Sequence, residues 1–176
     1  MFADRSRIDI NVVIDDANSQ PFSHIHRPGT GVGGHCIPMY PRFYLAGDPE
    51  ARIPLVSRAI NDAMPSYAVD LLERELERPL AGTHVLILGV SYRGEVKEAA
   101  FSSAFGVRRE LERSGAQPLA ADPLYDGDEL RAHGFEPWDG RGTPPSATAA
   151  AVRRHSPSRR TPGKRFGTGR YLGRAP

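Results

Sequence analysis

The only cysteine of this 176-residue sequence follows a glycine-rich turn, and this motif has the strongest potential for catalysis. Cys36 is preceded by Gly31-Val-Gly-Gly-His and followed by Ile-Pro. Glycines let backbone N–H groups approach a ligand closely, and clustered N–H groups bind anions such as phosphate. A cysteine beside such groups can act as a thiolate nucleophile. The alternative is an inert, small apolar side chain, and the residue types alone leave both interpretations open.

The residues around this cysteine carry a resemblance to a known family. Residues 22–45 (FSHIHRPGTGVGGHCIPMYPRFYL) resemble the catalytic loop of the nucleotide-sugar dehydrogenases, which oxidise UDP-glucose and UDP-N-acetylhexosamines to uronic acids. That loop runs G-x-G-[VF]-G-G-[HS]-C. The resemblance extends from about residue 5 to residue 138, because residues 83–123 look like the opening of the family's UDP-binding domain. The G-G-H-C form is closer to the N-acetylhexosamine branch than to the G-G-S-C of UDP-glucose enzymes.

The resemblance implies a covalent mechanism on Cys36. The sugar 6-CH2OH is oxidised to the aldehyde, thiolate attack gives a thiohemiacetal, a second hydride transfer to NAD gives a thioester, and water releases the acid. Gly31, Gly33 and Gly34 would cradle the sugar nucleotide with backbone groups. Arg93 stands where the family usually has a lysine that contacts UDP, and either cation can bind a diphosphate. The resemblance further implies a UDP-sugar substrate and a homodimer.

Several positions depart from the family pattern. Tyr40 occupies the place where the family often has an aspartate that assists water activation, and Ala100 replaces an arginine associated with cofactor contact. The family's NAD-binding domain carries a G-x-G-x-x-G turn, but the glycine cluster at 29–34 of this chain belongs to the cysteine loop. We therefore expect the NAD-binding domain to be missing from this chain, which would leave the isolated chain inactive.

The chain is expected to divide into three segments. The resemblance implies that residues 1–80 end a central helical and dimerisation domain and that 81–140 form a truncated Rossmann-like UDP-binding domain, whereas the composition of 141–176 predicts a disordered Arg/Pro-rich tail. The fold class is therefore α/β, a helical segment followed by the start of a parallel sheet. The expected elements are a strand or helix at 8–17, helices at 53–78 (with a break near Pro65), 102–114 and 128–133, and strands at 83–90, 117–121 and 135–138.

Charge is distributed unevenly along the chain. Residues 141–176 contain nine cations and no acid, whereas residues 1–140 are acidic overall. Such a tail has too few apolar side chains to bury, so burial cannot offset the entropy lost on ordering, and we expect it to be disordered. A frameshift at about residues 139–143 would produce an Arg-rich sequence of this kind. Two alternatives remain besides a dehydrogenase: a non-catalytic UDP-sugar-binding or dimerising remnant of a broken gene and, with less support, nucleic-acid binding through the tail.

Composition excludes several classes of protein. A single cysteine cannot form an intramolecular disulfide, and no apolar run is long enough to span a membrane. The first ten residues contain acids and no apolar core, so no signal peptide is predicted and a cytoplasmic protein is expected. His24, His26 and His35 are the candidates for a metal site, but carboxylate partners near the first two are lacking in the sequence, and no metal is expected.

Overall fold

The computed structural model describes residues 1–140 and the backbone of residues 147–150. No helix in this described part of the chain has both the length and the apolarity needed to cross a membrane. In chain order the elements are α1 (Phe2–Arg5), α2 (Ile10–Ala17), α3 (Cys36–Gly47), α4 (Arg52–Leu76), β1 (His84–Leu88), α5 (Ser103–Arg113), β2 (Gln117–Ala121), α6 (Gly127–Ala132), β3 (Glu136–Pro137) and β4 (Ala147–Ala150).

The four strands form one parallel sheet in the order β3-β2-β1-β4. The apolar run at 83–90 becomes the interior strand β1, in which Val85 and Ile87 are fully buried. Burying such a side chain stabilises the fold by about 1.5–3 kcal/mol. The strand order is that of a doubly wound nucleotide-binding fold, in which ligands bind beyond the carboxyl ends of the strands. The α/β prediction is confirmed.

Helix α4 joins the helical part of the chain to the sheet by packing on α5. At their contact a β-carbon placed on Gly106 would come within 2.6 Å of the Pro65 ring, so only glycine allows this close approach. The predicted break at Pro65 is wrong, since α4 runs without interruption from residue 52 to residue 76. Pro65 is buried, and packing of its ring compensates for the helix hydrogen bond that proline cannot make.

The segment 8–17, left open between strand and helix, contains the helix α2, which begins at Ile10. Asp9 caps it, because its side chain accepts a hydrogen bond from the backbone N–H of Asn11 at 2.9 Å. The sequence did not predict α1 or α3. Asp4 of α1 contacts α4 by accepting from the Tyr67 hydroxyl at 2.8 Å and from Arg74 at 3.2 Å.

The tail prediction needs one correction. Residues 147–150 form β4, which pairs in parallel with β1, so an unpacked segment is wrong for these four residues. The physical reason is that β1 has a second edge of backbone N–H and C=O groups, which a neighbouring strand satisfies. The rest of the predicted tail, 141–146 and 151–176, lies outside the described residues.

Candidate functional site

Cys36 is the first residue of α3, and its side chain is exposed. His35 is the N-cap residue but makes no side-chain capping hydrogen bond. Pro38 lies in the first turn, where a proline is tolerated because the first N–H groups of a helix have no partner within it. The helix therefore begins at the thiol, directly after the glycine-rich turn.

The glycine-rich turn packs against the loop that follows β1. The backbone N–H of Gly34 donates to the carbonyl oxygen of Ala100 at 2.8 Å. Gly34 has a φ of +86°, and a β-carbon there would lie 2.9 Å from the Tyr92 ring. A β-carbon on Gly33 would come within 2.6 Å of the carbonyl oxygen of Phe101. Both positions therefore require glycine. Gly34 is needed for its positive φ and for the close contact, whereas Gly33 is needed for the close contact alone.

Helix α4 holds the other side of the same turn. The side-chain oxygen of Asn61 accepts a hydrogen bond from the backbone N–H of Val32 at 2.8 Å. A β-carbon on Gly31 would lie 3.3 Å from the β-carbon of Ser103, the first residue of α5. The turn before the cysteine is thus held between the helical part of the chain and the sheet.

A second link crosses from the cysteine loop to the loop after β1. The Nε2 atom of His35 lies 3.4 Å from Oε2 of Glu98, and Oε1 of Glu98 accepts a hydrogen bond from the backbone N–H of Ala100 at 3.0 Å. The hydrogen bond from Ala100 and the contact with His35 lower the pKa of Glu98. Lys97, the neighbour of Glu98, forms an ion pair with Glu129.

Tyr40 lies one helical turn after Cys36 on α3, so their side chains share a face of the helix. A hydrogen bond with Cys36, followed by the charge interaction with that residue, raises the pKa of the Tyr40 phenol. Tyr40 is 64% exposed. Its ring lies 6.3 Å from that of Phe43.

Asp122 holds the start of the loop after β1. Its Oδ2 atom accepts hydrogen bonds from the backbone N–H groups of Val90 at 2.7 Å and Ser91 at 3.0 Å, and its Oδ1 accepts from Leu124 at 2.8 Å. This loop carries Arg93, which is exposed. The carboxylate at the end of β2 therefore fixes the backbone from which the predicted UDP-binding cation projects.

A cavity of about 390 Å³ lies beyond the carboxyl ends of the strands. Its lining residues are Leu88, Ala121, Asp122, Pro123, Tyr125, Gly127, Leu130, Pro137, Trp138 and Asp139. The Nε1–H group of Trp138 is buried and has no hydrogen-bond partner among the described residues. None of the sequence-predicted site residues lines this cavity.

The structure places the predicted glycines and Cys36 beside the loop after β1. Gly33 and Gly34 contact the loop that contains Arg93, and Cys36 follows them directly. Sequence reasoning missed Asn61, Glu98 and Asp122 as residues that hold these loops. Asp122 directly follows a predicted strand, and this position could have indicated a residue that holds a loop at the edge of the sheet. The other two contacts join positions far apart in sequence, and no local pattern indicates them.

The described residues do not fit a dinucleotide turn or a metal ion. Gly29, Gly31 and Gly34 have the spacing G-x-G-x-x-G, but no strand precedes them, whereas that motif needs a strand before the turn. The strand that does open the sheet, β1, is followed by Gly89-Val-Ser-Tyr92 instead. In the part of the chain that the structure describes, no three His, Cys, Asp or Glu side chains converge on a possible metal position.

Comparison with known proteins agrees with this geometry. Residues 1–63 match the model of the UDP-glucose/GDP-mannose dehydrogenase family, central domain. Over 128 residues the chain is 34% identical to the UDP-N-acetyl-D-mannosamine dehydrogenase of Methanococcus aeolicus, a match that covers 68% of this chain and 29% of that protein. The corresponding enzyme of Campylobacter jejuni is 32% identical over 121 residues, covering 66% of this chain and 30% of its own length.

Solved structures show the same likeness. The UDP-N-acetyl-mannosamine dehydrogenase of Staphylococcus aureus has a TM-score of 0.66 and 30% identity, covering 87% of this chain and 34% of that one. The enzyme of Pyrococcus horikoshii has a TM-score of 0.68 and 25% identity, covering 88% and 36%. The chain thus spans about 30% of the curated relatives it matches. With the cysteine loop held against a parallel sheet, these matches show that the chain belongs to the nucleotide-sugar dehydrogenase family.

Proposed function

We propose that this chain carries the nucleophile and part of the nucleotide-binding surface of an NAD-dependent UDP-sugar 6-dehydrogenase that acts on a UDP-N-acetylhexosamine. The main support is the contact of the glycine turn with the loop after β1, since Gly34 donates to Ala100 and packs on Tyr92. Tyr92 directly precedes Arg93, so one contact joins the thiol loop to the loop with the cation. The curated relatives described above are UDP-N-acetyl-D-mannosamine dehydrogenases.

The proposed chemistry of this chain centres on the sulfur of Cys36. The thiolate attacks the aldehyde carbon C6 of the sugar, a C–S bond forms, and the carbonyl electron pair moves to oxygen, which takes up a proton and gives a thiohemiacetal. The guanidinium of Arg93 binds the diphosphate. Oxidation steps need NAD, which family members use in general. The described residues do not fit a dinucleotide turn, so the proposal assigns no oxidation step to them.

The test uses the addition step, which needs no oxidant. The 6-aldehyde of UDP-N-acetylmannosamine should protect Cys36 from iodoacetamide, as measured by mass spectrometry of the only thiol in the chain. UDP-glucose 6-aldehyde should protect less well. Arg93→Ala should weaken protection about tenfold, because one or two charge-assisted hydrogen bonds are lost. Arg109→Ala, which removes an exposed arginine of α5, is the matched control.

Three outcomes separate the alternatives. Protection that depends on Arg93 but not on Arg109 supports the proposal. Binding of UDP without any protection of Cys36 favours the non-catalytic, UDP-sugar-binding remnant. Equal loss in both arginine variants would indicate nonspecific attraction of the diphosphate, and the role of Arg93 would be rejected.

The homodimer of the family is proposed for this chain on separate grounds. The first half of α4 exposes Ile53, Val56 and Ile60 at 82%, 54% and 51%, spaced three and four residues apart on one helix face. An apolar helix face of this kind is typical of an interface. Ile60→Glu should shift the chain from dimer to monomer in sedimentation velocity, whereas Asp62→Ala on the same helix should not. A monomeric wild-type chain would contradict the proposal.

A further inference from the structure

We propose that Glu98 is a positioning residue for the nucleophile: by pairing with His35, it fixes the first residue of α3 against the loop after β1. That first residue is Cys36. The role of Glu98 rests on the proposed function, which assigns the reacting sulfur to this residue. It deepens that function by naming the side chain that sets the place of the sulfur relative to the diphosphate-binding cation, Arg93.

Two neighbouring residues of the cysteine loop are tied to two positions of the loop after β1. The backbone N–H of Gly34 donates to the carbonyl oxygen of Ala100 at 2.8 Å. The backbone N–H of Ala100 in turn donates to Oε1 of Glu98 at 3.0 Å, and Oε2 of Glu98 lies 3.4 Å from Nε2 of His35. Because His35 directly follows Gly34 in the chain, these contacts close a ring. Neither loop can shift along the other without breaking one of them.

The carboxylate of Glu98 is oriented by its own loop. The carbonyl oxygen of Glu98 accepts a hydrogen bond from the backbone N–H of Tyr92 at 2.9 Å, and its backbone N–H donates to the carbonyl oxygen of Val96 at 2.9 Å. An exposed pair usually contributes little, because two long side chains lose conformational freedom when it forms. Here the backbone and one carboxylate oxygen of Glu98 are already held, so the loss falls mainly on the His35 side chain.

The position of His35 determines where the sulfur lies, because the two residues are adjacent at the start of α3. His35 is the N-cap residue of this helix, and Cys36 follows it. An N-cap side chain often accepts a hydrogen bond from an N–H group of its own helix, but that of His35 does not. It contacts Glu98 of the other loop instead. The start of α3 is therefore held across the contact between the two loops.

A first experiment needs no ligand and measures the amide hydrogen exchange of Gly34 by NMR in the full chain. His35→Ala should accelerate this exchange about threefold, as expected for the loss of a partly exposed pair. Glu98→Ala should accelerate it about tenfold, because the acceptor of the Ala100 N–H is lost as well. Adding His35→Ala to Glu98→Ala should then cause no further change, since Glu98 acts through His35. Glu95→Ala, which removes an exposed glutamate of the same loop, is the matched control and should exchange at the wild-type rate.

Three results of this experiment would overturn the positioning role. One is an unchanged exchange rate of Gly34 in Glu98→Ala. The second is a double variant in which the two effects multiply, because Glu98 and His35 would then act independently. The third is equal acceleration in the Glu95 control, which would show that any change in this loop has the same effect.

A second experiment separates positioning from a general weakening of the site. The affinity for UDP, measured by isothermal titration calorimetry, should stay within about twofold in Glu98→Ala, because Asp122 still holds the loop that carries Arg93. Protection of Cys36 from iodoacetamide by the 6-aldehyde of UDP-N-acetylmannosamine should weaken about tenfold, because the sulfur loses its fixed place. Equal losses of UDP affinity and of protection would indicate a structural role alone and would reject the proposal. If the wild-type thiol were not protected, the proposed function would fail, while the exchange of Gly34 would still decide the role of Glu98.

Discussion

Removing the carboxylate of Asp122 should destabilise the loop that carries Arg93. Asp122→Ala deletes the acceptor of three backbone N–H groups, of which those of Val90 and Ser91 belong to residues only 0% and 3% exposed. A buried donor left without a partner costs about 1–3 kcal/mol. Asp122 also lines the cavity, so water can reach part of this space and reduce the loss. We therefore expect the free energy of unfolding to fall by about 2–4 kcal/mol.

Urea titration followed by fluorescence of Trp138, the only tryptophan, measures this loss. Asp122→Asn keeps one side-chain oxygen and should lose about half as much as Asp122→Ala. Asp128→Ala is the matched control, because the side chain of Asp128 is 96% exposed and pairs only at the surface with Arg131. If Asp122→Ala cost no more than Asp128→Ala, the three hydrogen bonds would not hold the loop and the reasoning would be wrong.

Two further predictions concern the contact between the cysteine loop and the sheet. Gly33→Ala should lower the free energy of unfolding by about 1–3 kcal/mol, because a β-carbon there would lie 2.6 Å from the carbonyl oxygen of Phe101. Gly47→Ala is the control, since a β-carbon at that position meets open space and should not lower the free energy of unfolding. Urea titration measures both variants. Because the pKa of Glu98 is lowered by Ala100 and His35, its stabilising contribution is present above the ordinary carboxylate pKa and is lost as pH falls through the lowered value. Glu98→Gln should therefore show a weaker loss of stability on acidification than wild type in thermal melts from pH 6 to pH 3, and parallel curves would contradict this.

Much of the sheet could be predicted because its signals are local. An unbroken apolar run predicted β1, and the helix predicted at 102–114 is α5, which is followed by Gly115 with a φ of +77°. Prolines gave the wrong signal in the helical part. Pro65 lies inside α4 because its ring packs on Gly106, and this partner is 41 residues away in the sequence. Pro38 and Pro41 masked α3. Pro38 lies in the first turn, where a proline costs a helix little, and Pro41 lies inside the helix.

In the candidate site, too, local sequence signals allowed predictions, whereas long-range contacts could not be predicted. Types and spacing singled out Cys36 and its glycines as candidates, and the resemblance to the dehydrogenase loop supplied their expected roles. The surrounding contacts could not be predicted, since they depend on how α4 and the sheet come together. Asn61 and Glu98 each hold the cysteine loop from a different element, and each is ordinary in its local sequence.

The contact between Gly34 and Tyr92 has a consequence for how this site can evolve. A side chain at position 34 would collide with the aromatic ring at position 92, 2.9 Å away, and the left-handed backbone there adds strain. A larger residue at 34 is therefore tolerable only together with a smaller residue at 92. Position 92 lies next to Arg93, so such a paired replacement would alter the residue that precedes the proposed diphosphate-binding cation. Natural variants of this chain should thus change position 34 only when position 92 has also changed.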